Sequence, residues 1–203
     1  MVSEMPRVTQ TARWAAAQRA RESQRVDRLF SDPLAAVLTG DEGFKALEIS
    51  EKLNPRHEDT AAYMAIRVNF LDDFILRLVS EGIRQVVLLG AGMDARAFRL
   101  ESPGDTTVYE LDHAELLGVK EEILKKENAR PVCHRVVLAT ELQSEWAECL
   151  MDAGYAAAQP AIWILEGLLY YLREEEVHSV LRQISELAAS ASGFGADVVS
   201  EAR

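Results

Sequence analysis

The stretch Val86 to Leu100, VVLLGAGMDARAFRL, constrains the fold more than any other part of the chain. Its opening run, Val86 to Leu89, is unbroken and apolar, the signature of a parallel strand buried on both faces. Gly90 and Gly92 end that run abruptly, and Ala95 to Leu100 reads as the start of a helix. Glycine lets the backbone turn sharply and leaves main chain open to a close ligand. Strand, glycine turn and helix together make the mononucleotide-binding corner of an open α/β sheet.

The rest of the chain divides around that corner. Residues 1–82 read as helical and predict an N-terminal lid, and 83–203 predict a Rossmann-like core. Thr11 to Arg21 is rich in Ala, Arg and Gln, good helix formers. Asp32-Pro33 looks like a helix start, with Asp32 as N-cap and Pro33 in the first turn. A longer helix is predicted over Glu58 to Glu81, with Tyr63, Ile66, Phe70, Phe74 and Leu78 at helical spacing and Gly82 as its stop. Strands are predicted at Gln85–Leu89, Val108–Leu111, Val132–Leu138, Ala161–Leu165 and Phe194–Val199. Helices fall between most of them: Glu115–Glu127, Glu145–Met151 (Ser144 as cap) and Glu174–Ala189, the last with Val177, Val180, Leu181, Ile184 and Leu187 on one face. Alternating β and α segments of these lengths imply a parallel sheet with right-handed crossovers and helices on both faces.

Charge narrows the ligand. The net charge is −11, from 33 acidic against 22 basic side chains, which argues against a nucleic-acid or anionic-membrane partner. No apolar run approaches the ~18 residues of a membrane span, and MVSEMPRVTQ lacks the pattern of a secretory signal. Cys133 and Cys149 have no metal-ligand spacing and read as reduced thiols, so the expected setting is cytoplasmic, with no metal.

In such a sheet, ligands bind beyond the carboxyl ends of the strands where strand order reverses. The predicted strands end at Gly90, Ala91, Gly92 and Asp94; at Glu110 and Asp112; at Thr140 and Glu141; and at Glu166 and Gly167. Acids therefore recur at four consecutive strand ends. The pattern Gly90-x-Gly92-x-x-Ala95, with Glu110 about 20 residues on, meets a loose dinucleotide fingerprint, so an NAD-binding oxidoreductase is one reading. A pyrophosphate, however, is anionic and seeks amides or cations. An acid-lined crevice better suits S-adenosylmethionine, with its ribose hydroxyls, ammonium and sulfonium. That donor's one carboxylate needs a cation, and Arg67, on the predicted long helix, is the candidate; the alternative is an arginine whose stem covers the core and whose head reaches water.

Three segments carry a family resemblance: GAGMDARAFRL at 90–100, YELDHAELLGVK at 109–120 and ILEGLLYYL at 164–172. With TARWAAAQRARES and LFSDPLA upstream, they resemble the leucine carboxyl methyltransferase-like family, in its bacterial secondary-metabolism branch. The resemblance implies a class I O-methyltransferase using S-adenosyl-L-methionine and releasing S-adenosyl-L-homocysteine. It implies that Arg67 holds the donor's carboxylate, and that Gly90, Ala91, Gly92 and Asp94 form the turn beside its methionine part. It further implies that Asp112 takes the ribose hydroxyls with Glu110 beside it, that Glu141 and Leu142 face the adenine, and that Glu166 lies near the amino end and the reaction centre. Glu141 departs from the family's usual Asp by one methylene. The family fold also continues through two further strands, so the resemblance implies that C-terminal strands are missing here. A donor-binding pseudoenzyme or one part of an assembly is therefore a further alternative, and a homodimer stays open.

Methyl transfer is an in-line displacement that rests on alignment and exclusion of water. A carboxylate acceptor needs no general base, whereas a hydroxyl is helped by one. Candidates for that role are Glu166, Tyr171 and His113. Arg13, Trp14, Arg19 and Arg21 are candidates for contact with a small-molecule acceptor, or else form a solvated helix face.

Overall fold

The computed structural model describes residues 7–198. Three helices come first: α1 (Arg7–Ser23), α2 (Ala35–Leu53) and α3 (His57–Ser80). An alternating core follows: β1 (Gln85–Leu89), α4 (Arg96–Arg99), β2 (Thr107–Asp112), α5 (Ala114–Lys126), β3 (His134–Ala139), α6 (Ala147–Asp152), β4 (Ala161–Leu165), α7 (Glu174–Leu187) and β5 (Gly193–Ala196). All strand pairs are parallel, in the order β3-β2-β1-β4-β5. The order reverses between β1 and β4, which opens the crevice that a ligand would use.

Strand alternation builds two apolar layers. Val87, Leu89, Tyr109, Leu111, Trp163 and Leu165 face α6 and α7, where they meet Trp146, Leu150, Val180 and Ile184. On the opposite face, Val86, Leu88, Val108, Ile162 and Ile164 meet Leu71, Ile75, Leu78 and Val79 of α3. Helix α3 is thus a layer of the core, and among the described residues that precede β1 it is α1 and α2 that stand off the sheet. Their link to it is a third cluster, where Ala16 and Leu38 meet Met93, Ala95, Leu116 and Leu124.

Several local expectations change. Strands β1 and β4 have the predicted limits, while β3 starts two residues later than predicted. Strand β5 ends at Ala196, and Val199 lies outside the described residues. The stripe that α3 buries is Met64, Val68, Leu71, Ile75 and Leu78, leaving Tyr63, Ile66 and Phe70 exposed. Helix α2 begins after Asp32-Pro33, at Ala35. Asp32 instead accepts from the Leu34 amide at 3.1 Å and from Arg19 Nε at 2.9 Å. In α7 Gln183 is buried alongside Val180, Ile184 and Leu187, whereas Leu181 is exposed. Gln183 accepts from the Ala147 amide at 3.2 Å and donates to the Ser144 carbonyl at 3.1 Å, so it serves the start of α6 where Ser144 was the expected cap. Among the described residues, no helix is long and apolar enough to cross a membrane.

Candidate functional site

A cavity of about 480 Å³ lies at the carboxyl ends of β1, β2 and β4. Its floor is the β1 turn. Gly90 and Gly92 hold φ of 69° and 48°, a left-handed backbone that other residues rarely adopt. The turn is tied to β2, because the amides of Gly90 and Ala91 both donate to the Leu111 carbonyl, at 2.9 and 3.1 Å. A Cβ on Gly90 would stand 3.0 Å from Leu168, so the bare backbone is part of the cavity's shape. Thr11, Trp14 and Ala15 of α1 cover the opposite side.

Asp112 ends β2 against this turn. Its Oδ2 accepts from the Gly92 amide and its Oδ1 from the His113 amide, each at 2.7 Å. Burial pushes its carboxyl up, and the two amides pull it back only in part. Among the described residues Asp112 makes no ion pair. A carboxylate offers about four lone-pair sites, so acceptor capacity remains on the cavity side.

The other cavity acids are bound into an arginine network. Arg96, nearly fully buried, donates through Nε to Asp72 at 2.7 Å, pairs with Glu166 at 2.7 Å, and clasps Asp94 through its guanidinium. Asp94 also accepts from the Arg96 amide at 2.6 Å. Burial opposes ionisation of Asp94, yet Arg96 above all, helped by Lys120, Arg19 and Arg99, holds its carboxyl down to about 2. Glu166 behaves alike: burial disfavours its charge, but Arg96 and Arg67 outweigh burial and lower its pKa. Arg67 donates through Nε to Glu166 at 3.1 Å and through Nη1 to Asp197 at 2.9 Å. Arg99 adds a fork onto Asp72, and Arg19 joins Asp32, which carries the network into α1.

Of the residues singled out in the sequence, Arg67, Gly90, Ala91, Gly92, Asp94, Asp112, His113, Leu142, Glu166 and Tyr171 line one cavity. Glu110 and Glu141 do not. Glu110 is sealed beneath β2, where Lys120 Nζ donates at 2.7 Å and Arg135 at 3.0 and 2.7 Å, which leaves it nothing to offer a ligand. Glu141 is exposed and meets His113 Nδ1 at 2.9 Å, so it touches the site only through that ring. On α1, Trp14 and Arg19 line the cavity, whereas Arg21 pairs outside it with Glu51 and Arg13 donates to the Thr39 carbonyl at 3.2 Å. The residue missed outright is Arg96, the hub of the network. Its signal was its place between two glycines and a second arginine, which in sequence resembles an ordinary helix charge.

Comparison with known proteins settles the family. The family model described as leucine carboxyl methyltransferase matches residues 12–185, from α1 into α7. The chain belongs to the leucine carboxyl methyltransferase family. A Frankia alni protein with the provisional name S-adenosyl-L-methionine-dependent methyltransferase is 40% identical to it, over 96% of this chain and 72% of that protein. A Streptomyces coelicolor protein of the same provisional name is also 40% identical, with the same shares covered. Among solved structures, a DUF574-family protein from Streptomyces avermitilis superposes with a TM-score of 0.61 at 16% identity, covering 91% of this chain and 66% of that one. A Thermobifida fusca protein provisionally named a methyltransferase gives 0.59 at 18%, covering 90% and 64%. This leucine carboxyl methyltransferase family member therefore spans about two thirds of the length of those two structures, and the likeness to them is one of fold.

Proposed function

We propose that the chain binds S-adenosyl-L-methionine in the cavity at the ends of β1, β2 and β4 and transfers its methyl group to an oxygen of a small molecule, such as a secondary metabolite. The observation that carries this reading is Asp112, a buried carboxylate that makes no ion pair among the described residues and stands beside a bare glycine turn. Its remaining lone pairs suit the hydroxyls of a ribose, and the apolar Leu142 and Leu116 nearby suit a flat base. Family membership and the names of the relatives support the methyl donor over a dinucleotide.

S-adenosyl-L-methionine would supply an electrophilic methyl group on a sulfonium. The chain's own residues would place and dry that centre. Glu166 presents an anion to the donor's ammonium, and Arg67 a cation to its carboxylate. Trp14, Tyr170 and Tyr171 give the cavity an aromatic side for the acceptor. Glu166 is poorly suited to take a proton, because two arginines favour its charged form. His113, held through Nδ1 by Glu141, keeps its second ring nitrogen for such a role if the acceptor is a hydroxyl. Titration calorimetry tests the donor: S-adenosyl-L-homocysteine should bind and NAD should not. Heat from NAD alone would overturn the reading.

A further inference from the structure

The carboxylate of Asp197 sits in a receptor built for a carboxylate. Its Oδ2 accepts from Arg67 Nη1 at 2.9 Å and from the Tyr63 hydroxyl at 3.0 Å, and its Oδ1 accepts from the Gly167 amide at 2.6 Å. Three donors, from α3 and from the turn after β4, thus converge on one anion. Arg67 and Gly167 both line the cavity, while Asp197 approaches them from the end of β5. Residue 197 also lies beyond the stretch matched by the family model.

We propose that Asp197 is an internal stand-in for the donor's carboxylate: it occupies the subsite of Arg67, the Gly167 amide and Tyr63, and donor binding displaces it. The inference rests on the reading that this cavity takes S-adenosyl-L-methionine. One guanidinium already serves two carboxylates, Glu166 at 3.1 Å and Asp197 at 2.9 Å. A third anion at the same cation is repelled by both, so a donor carboxylate competes with them for Arg67 and, against Asp197, for the Gly167 amide. Glu166 is the harder to move, because Arg96 holds it as well, at 2.7 Å. Among the described residues, Asp197 follows a four-residue strand that pairs with β4 alone, and it lies outside the ladder. Its side chain can swing away without unpairing any strand. Donor affinity is therefore set in part by a competitor that the chain itself carries.

Calorimetry on the parent and on Asp197→Asn, with S-adenosyl-L-homocysteine and with 5′-methylthioadenosine, separates the possibilities. The second ligand keeps the nucleoside and the sulfur but has no carboxylate. Asp197→Asn should tighten S-adenosyl-L-homocysteine about tenfold and leave 5′-methylthioadenosine within about twofold. Unchanged or weaker binding of S-adenosyl-L-homocysteine by the variant overturns the inference and assigns Asp197 to positioning Arg67. A crystal structure of the parent with S-adenosyl-L-homocysteine decides the matter should the variant fold poorly. The Arg67–Asp197 contact should be gone, and its retention beside bound ligand refutes displacement. If the parent binds neither ligand, the donor reading itself fails, and this inference with it.

Discussion

Glu110 and Asp112 stand two residues apart on β2, on the same side of the strand, and have opposite surroundings. Glu110 is enclosed: Lys120, itself fully buried, and the fork of Arg135 take up its carboxylate, and Arg135 passes the charge on to Glu121 at 2.6 Å. Asp112 has two backbone amides and then the cavity. Both are acids at the end of a strand, yet only Asp112 turns spare acceptor capacity to the cavity. A buried charge whose partners are all protein serves the fold, and one with lone pairs turned to a cavity can serve a ligand. Position at a strand end is therefore a weaker guide to function than the completeness of a side chain's hydrogen bonding.

The largest effect that could break this contrast comes from the enclosed side. Lys120→Met leaves the fully buried Glu110 with one cationic partner, Arg135, and removing one partner of a buried pair costs about 3–5 kcal/mol. Urea unfolding should show a loss of that size, while the surviving folded protein binds S-adenosyl-L-homocysteine within about twofold of the parent. Replacing Glu110 by Leu in the same chain should restore part of the stability, because Arg135 keeps Glu121. A binding defect without loss of stability would place Glu110 and Lys120 in the ligand site after all.

An intermediate effect comes from acid. The folded carboxyl of Asp94 ionises near about 2, below its ordinary 3.8. A group with a depressed folded pKa adds stability that is complete above the ordinary value and is lost as pH falls through the folded one. Asp94 should therefore contribute about 2 kcal/mol at neutral pH, fading between about pH 4 and pH 2. Asp94→Asn should be less stable than the parent by roughly that amount at pH 7, with the two curves converging near pH 2. Parallel curves over that range would mean that Arg96 and its neighbours do not hold this acid in its charged form.

Much of the architecture was legible because strands buried on both faces read as uninterrupted apolar runs, which fixes β1 and β4 to the residue. The glycine turn, Asp112 and Glu166 followed from the rule that ligands meet parallel sheets at the switch point, whereas Arg67 followed from the cation that the donor's carboxylate needs and from the family resemblance. Other features depended on partners far away in the chain. Nothing local distinguishes Glu110 from Asp112, because the residues that enclose the first lie on α5 and β3. The buried stripe of α3 was hidden because the helix is apolar over more than one face, with Tyr63, Ile66 and Phe70 exposed beside Met64, Val68 and Leu71. Gln183 was unreadable as a core residue because its role is to serve orphan backbone groups of another helix. Arg96 and Asp197 gain their meaning only from carboxylates and donors brought together by the fold.

The smallest effect is the most discriminating, and it lies on the open side. Asp112→Asn keeps one oxygen to accept from the Gly92 amide, but its amide nitrogen would face the N–H of His113, donor against donor. That mismatch should cost no more than about 1 kcal/mol of stability, since burial already disfavours the carboxylate's charge and the neutral side chain escapes that penalty. Binding should suffer more. Loss of one charge-assisted acceptor for a ligand hydroxyl is worth about 1.4 kcal/mol or more, hence about a tenfold weaker affinity for S-adenosyl-L-homocysteine in calorimetry. The pair of measurements carries the discrimination, because Lys120→Met should lose stability and keep affinity, while Asp112→Asn should do the reverse. If Asp112→Asn unfolds as readily as Lys120→Met and binds like the parent, then its two amide contacts are its whole purpose, and the cavity's claim on that carboxylate is void.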